Sequence, residues 1–227
     1  MRPATRADRR PLGVFLAVLL AGVALLVWVQ ARPAAEAAPR AGAAPAAGDV
    51  VPQPGSAPAP EAVPADGPVV PARIAIPAIE VDTVVESRGT VRYENPFTGE
   101  PVDGFGVPES MRTTSWWSDG PQPGSGQMAV VLGHAQDGGH AVFNRLHELA
   151  PGDRVTLTDR GGAVLTLEVL GAPLTGLDKS TADLADALNG HPADADVALV
   201  TCGGEFDEDA GASADNTVVF ATVVDQV

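Results

Sequence analysis

Two short segments carry residue types suited to covalent chemistry. Residues 129–134 read Ala-Val-Val-Leu-Gly-His, an apolar run closed by a glycine and His134. Residues 197–204 read Val-Ala-Leu-Val-Thr-Cys-Gly-Gly, a second apolar run closed by Cys202, the single cysteine of the chain. Taken singly, a histidine at a strand end is more often a satisfied polar residue, and a cysteine after an apolar strand a small core residue. The pairing changes the reading. Two strands of one barrel that end at the same rim would bring His134 and Cys202 within reach. A thiol beside an imidazole ionises at neutral pH and attacks a carbonyl, and the imidazole later protonates the leaving amine. The glycines after Cys202 leave room for a substrate backbone. A lone cysteine has no partner for an intramolecular disulfide, so it is either incidental or a reactive thiol.

The elements that must position these residues are short and rich in Val and Leu. Strands are expected over 127–132, 154–158, 164–170, 197–202 and 217–224, separated by turns such as Pro151-Gly152-Asp153. Residues 72–81 read as a further strand interrupted at Pro77, which would confine that part to an edge or a bulge. Many short strands with turn signals predict an all-β barrel or sandwich. Two short helices are expected. One spans 141–149, with Val142, Leu146 and Leu149 on one face. The other spans 180–189, with Ser180 and Asp183 at capping-box spacing and Asn189-Gly190 closing it.

Upstream, the composition changes. Residues 12–29 are apolar throughout, follow a basic stretch over 1–11, and nearly match a hydrocarbon core of roughly 30 Å in helical form. The reading is a transmembrane signal anchor over 12–30 with the basic end cytoplasmic and the remainder outside the membrane. A cleavable signal peptide is the alternative, and it too exports the protein. Residues 31–70 are Ala- and Pro-rich without apolar periodicity, as in a disordered spacer, and the folded domain is expected over 71–227. A net charge of -15 with one lysine excludes nucleic acid as a partner. His140, His147 and His191 lack a cysteine pattern, so no zinc site is expected. Glu205, Asp207, Glu208 and Asp209 lack EF-hand spacing and read as solvated turn residues rather than a calcium site. No metal or cofactor is expected.

Three segments resemble one known family. Residues 130–134, 141–146 and 149–153 are similar to the histidine region of actinobacterial sortases. Residues 199–207, with 215–221 after them, resemble the cysteine signature of class F sortases, and 73–77 match the family's first strand. The resemblance covers about residues 71–224. It implies a closed eight-stranded β-barrel with short helices, in which Cys202 attacks a Thr-Gly bond of an LPXTG-like C-terminal sorting signal. It also implies transfer of the acyl group to an amine of a peptidoglycan precursor or pilin. It further suggests that the 180–189 helix lines the peptide groove.

One departure from the pattern stands out. Sortases carry an arginine on the strand after the cysteine, where it is thought to hold substrate and stabilise the oxyanion. Here residues 212–217 are Ala-Ser-Ala-Asp-Asn-Thr. The substrate-binding candidates are therefore Asn216, whose amide can donate to an oxyanion, and Arg145, in a segment where the family also has arginine. The bland readings are a turn for Asp215-Asn216 and a structural ion pair for Arg145. Two rivals remain: an L,D-transpeptidase-like peptidoglycan enzyme, and an inactive barrel serving as an envelope binding module.

Overall fold

The structure, a computed structural model, describes residues 63–136 and 138–224. The expected membrane anchor and most of the expected spacer lie outside these residues. No helix among the described residues is long and apolar enough to cross a membrane.

Twelve strands follow one another along the chain: β1 (Val63–Pro64), β2 (Pro71–Ile76), β3 (Val81–Arg88), β4 (Thr90–Glu94), β5 (Pro101–Phe105), β6 (Thr114–Trp117), β7 (Ala129–Gly133), β8 (Arg154–Asp159), β9 (Ala163–Val169), β10 (Leu174–Asp178), β11 (Val197–Asp207) and β12 (Ala212–Val223). The helix α1 (Asp183–Asn189) lies between β10 and β11. The main sheet runs β1-β9-β8-β2-β3-β6-β7-β11-β12-β10, and an additional β9–β12 pairing closes it. The closure leaves an eight-stranded barrel, with β1 and β10 appended and β4-β5 as a separate hairpin.

Alternation along the strands divides the apolar residues between two faces. One set draws on all eight ring strands, including Ile74, Val85, Trp116, Val131, Leu157, Leu167, Leu199 and Val219, and so fills the interior. The other set, Val130, Leu132, Ala198, Val200 and Val218, lies on the outer face of β7, β11 and β12. It is covered by Leu184 and Leu188 of α1, Leu177 of β10, and Phe105 and Trp117. The last two rings meet edge to face at 5.1 Å between centroids.

Several expected elements take another form. Pro77 does not mark an edge; it opens a 3-10 turn, Pro77–Ile79, between β2 and β3, and β2 is paired on both sides. No α-helix spans 141–149: only Leu146–Glu148 forms a 3-10 turn. The backbone there is held from outside, with Val142 N–H donating to the Met111 carbonyl and Phe143 N–H to the His134 carbonyl. The apolar spacing reflects three contacts with the core, by Phe143, Leu146 and Leu149, instead of a helical face. The second helix forms without its capping box. Ser180 Oγ donates to Asp178, and the Asp183 carboxylate accepts from the Asp178 N–H. The folded unit also reaches further upstream than 71. Val69 is buried in the core and its N–H donates to the Pro123 carbonyl.

Leu199, in the buried first half of β11, is fully buried. Leu199→Ala should cost about 2–5 kcal/mol, the usual range for a buried leucine. Urea denaturation followed by far-UV circular dichroism checks this. A loss below about 1 kcal/mol would mean the barrel interior repacks freely.

Candidate active site

The site begins with the pairing of β7 and β11. These strands run parallel, with Ala129 beside Val197 and Leu132 beside Val200. Both are continuous runs of β-branched and aliphatic residues buried on both faces, as expected of parallel strands. Two residues further along each strand stand His134 and Cys202. The ends are tied together by the Thr201 hydroxyl, which donates to the Gly133 carbonyl at 2.7 Å in a buried position. Glycine at 133 is required by packing: a Cβ there would lie 2.4 Å from the Phe143 ring.

Pleat alternation assigns the faces. Val130 and Leu132 share the parity of His134, and Ala198 and Val200 that of Cys202. Cys202 therefore belongs to the outer face, beyond the apolar patch under α1, and His134 follows β7 by one residue at the same parity. Each is partly exposed, so a substrate can reach it. On the other side of β11, Asn216 of β12 is the residue paired with Cys202, and its position on the same pleat puts it on the same face. Asn216 is buried to 9% exposure. After Cys202 the backbone becomes irregular. Gly204 has φ of +71°, and the β11–β12 register shifts between Gly203 and Phe206. The strand thus opens directly after the thiol.

His134 is held by its own contact. Its Nε2 lies 2.9 Å from the carbonyl oxygen of Pro108, in the loop between β5 and β6. A carbonyl only accepts, so Nε2 carries a proton, and in the neutral form of the ring Nδ1 is the nitrogen without one. Near this loop, burial pushes the Glu86 carboxyl up. Hydrogen bonds from Thr113 and the Glu109 N–H, with the charges of Arg88 and His134, outweigh that effect and hold it below the ordinary carboxylate range. Neither Glu86 nor Pro108 carries a sequence signal of its own.

Arg145 stands elsewhere. Its guanidinium meets Glu148 at 2.8 Å and Glu80 at 3.4 Å, and both carboxylates raise its pKa, Glu148 most. It lines an open hollow of about 560 Å³ with Glu80, Arg112, His140 and Asn144, a hollow lined by neither Cys202 nor His134. Of the four site residues picked from sequence, three therefore stand on or directly after the adjacent strands β7, β11 and β12, and Arg145 is paired with acids elsewhere.

The sortase domain model matches residues 74–224, well over half of the chain. The chain belongs to the sortase family. Among solved structures, it is similar to the lid mutant of sortase A from Corynebacterium diphtheriae, at 19% identity and a TM-score of 0.48, covering 71% of this chain and 73% of that one. Sortase C-1 from Actinomyces oris aligns at 20% identity and a TM-score of 0.46, over 71% of this chain and 76% of that one. Sortase A from Listeria monocytogenes aligns at 16% identity and a TM-score of 0.44, over 69% and 88% respectively. No curated protein matches the chain.

Thr201→Val removes the hydroxyl while keeping the shape, and leaves the buried Gly133 carbonyl without that donor. The expected loss is about 1–3 kcal/mol of stability. Equilibrium denaturation measures it, and an unchanged midpoint would show that the β7–β11 pairing alone fixes the two strand ends.

Proposed function

We propose that this chain is a cysteine transpeptidase that cleaves an LPXTG-like sorting signal and passes the acyl group to a cell-wall amine. The observation that carries the reading is that His134 and Cys202 each stand two residues beyond the last pair of the parallel β7–β11 ladder. Family membership supports the reaction class.

In this mechanism the Cys202 thiol gives its proton to His134 Nδ1, and the thiolate attacks the scissile carbonyl. The carbon–sulfur bond forms as the carbonyl electrons move to oxygen. When the tetrahedral adduct collapses, the carbon–nitrogen bond breaks and the imidazolium returns a proton to the departing amine. A thioester on Cys202 remains. An incoming amine then adds to it, loses a proton to His134, and expels the thiolate, which leaves the acyl group in a new amide.

The oxyanion needs a donor, and we assign that role to the Asn216 amide in place of the arginine absent from 212–217. Asn216 is the cross-strand neighbour of Cys202, whereas Arg145 is engaged by Glu148 and Glu80. A neutral amide can serve, because such donors act by fixed geometry more than by net charge. The proposed setting is extracytoplasmic, with the apolar segment 12–30 as a membrane anchor. Class F is the subtype that the cysteine segment resembles.

Turnover of a fluorogenic LPXTG-like peptide with an added amine tests the reading. Cys202→Ala should abolish both cleavage and transfer, and His134→Ala should lower kcat/KM by about 10²-fold or more. Substantial turnover by the alanine variant at 202 would eliminate the thioester route. An inert wild-type thiol at neutral pH would favour an inactive binding barrel.

Asn216→Ala should lower kcat by about 10²–10³-fold with a smaller change in KM, since the donor acts on charge that develops in the transition state. Arg145→Ala should leave kcat nearly unchanged and, because its ion pairs are exposed, leave the melting temperature little changed. The reverse pattern in steady-state kinetics would transfer the role to Arg145.

A further inference from the structure

The loop between β5 and β6 touches the site from one side only, through the Pro108 carbonyl on His134. What holds that carbonyl in place is a separate question, and the hydrogen bonds answer it. On the antiparallel β6–β7 ladder the last pair is Thr114 with Gly133, so the next step sets Thr113 opposite His134. The Thr113 hydroxyl donates to Glu86 Oε1 at 2.5 Å. The Glu109 N–H, one residue past Pro108, donates to Glu86 Oε2 at 3.1 Å. Arg88 closes the group by donating to the Glu109 carboxylate at 2.6 Å. One carboxylate thus grips the loop at two points after Pro108, the nearer of them the very next residue.

Glu86 lies on β3, two strands away from His134, at the position paired with Ser115. Its ionised state strengthens both hydrogen bonds it accepts. The far end of the loop has anchors that do not involve it. Gly106 N–H donates to the Gly89 carbonyl at 3.0 Å, and Ser115 Oγ donates to the Gly106 carbonyl at 2.7 Å. Met111 and Arg112 are held as well, their carbonyls accepting from Val142 N–H and Thr83 Oγ1, so removing the Glu86 carboxylate would loosen the stretch around Pro108 and Glu109 while the loop stays attached.

We propose that Glu86 is a positioning residue for the histidine: by accepting from Glu109 N–H and Thr113 Oγ1 it fixes the Pro108 carbonyl against Nε2–H, which holds the ring in the Nε2–H tautomer and leaves Nδ1 for the thiol. The inference rests on His134 being the acid/base residue of the transpeptidase. Without the clamp the ring can rotate and the other tautomer becomes accessible, so a fraction of the molecules would present an N–H where a base is needed.

The test uses the full chain with ¹⁵N-labelled histidine and reads the His134 imidazole nitrogen shifts of the neutral ring, assigned by loss of signal in His134→Gln. Wild type should show the Nε2–H tautomer. Glu86→Ala should show a mixture of tautomers, and its kcat should fall by about 10- to 100-fold with KM nearly unchanged, the scale expected of a misplaced catalytic group. Glu86→Gln keeps an acceptor oxygen and should restore most of both signals. Thr113→Val, which removes one donor, should give the mixed tautomer in milder form, and it carries the test if Glu86→Ala fails to fold. A wild-type ring with the proton on Nδ1 overturns the proposal. So does an unchanged tautomer and kcat in folded Glu86→Ala and Thr113→Val. A wild-type chain inert toward the peptide would sink the transpeptidase reading instead, and the tautomer measurement would still decide whether the clamp exists.

Discussion

The Thr201 hydroxyl and the Gly133 carbonyl, joined by a buried bond of 2.7 Å, connect the ends of two parallel strands. The residues that follow are Cys202 and His134. Parallel pairing matters here, because it carries both strands toward the same rim and lets equal steps beyond the last pair bring the two side chains alongside each other. An antiparallel arrangement of the same two segments would send them to opposite ends. The tie is paid for by a glycine that cannot be replaced without moving Phe143, a ring wedged against the strand end at 1% exposure.

The barrel divides its labour by pleat parity. Inward residues on all eight ring strands supply a continuous apolar interior. Outward residues on β7, β11 and β12 supply a second patch, roofed by α1 and by Phe105 and Trp117, which gives way to polar and reactive residues at one end. A one-residue slip of β11 would exchange the two sets, burying Cys202 inside and exposing Thr201. The nine-residue β11–β12 ladder, with Val197 opposite Ala221 and Cys202 opposite Asn216, holds that register.

Much of this was legible in the sequence where apolar runs were long and their ends distinctive. Residues 197–202 and 127–132 read directly as strands, the second two residues too early at its start and one short of its observed end, and the Thr-Cys and Gly-His endings suggested the chemistry. Pro77 misled because proline suits the first position of a 3-10 turn as well as a strand edge. The 141–149 segment misled because its periodicity records where Phe143, Leu146 and Leu149 enter the core, and tertiary hydrogen bonds from Val142 and Phe143 displaced the helix. The strands β4 and β5 were missed because they are short and exposed: β4 alternates only Val91 and Tyr93 with polar residues, and β5 carries Pro101 and Gly104. Glu86 was not legible at all. Its surroundings are assembled by a loop some twenty residues downstream, and nothing in the local sequence of β3 marks it.

The separation of 68 residues between Thr201 and Gly133 has a consequence for how the chain becomes competent. Contacts so distant along the chain form only after the intervening loop closes, and such closures slow folding. On the transpeptidase reading, the thiol stands without its proposed base until β11 docks beside β7. On that reading a partly folded chain is spared premature attack on peptide carbonyls, and the rise of thiol reactivity during refolding would serve as a clock for barrel closure.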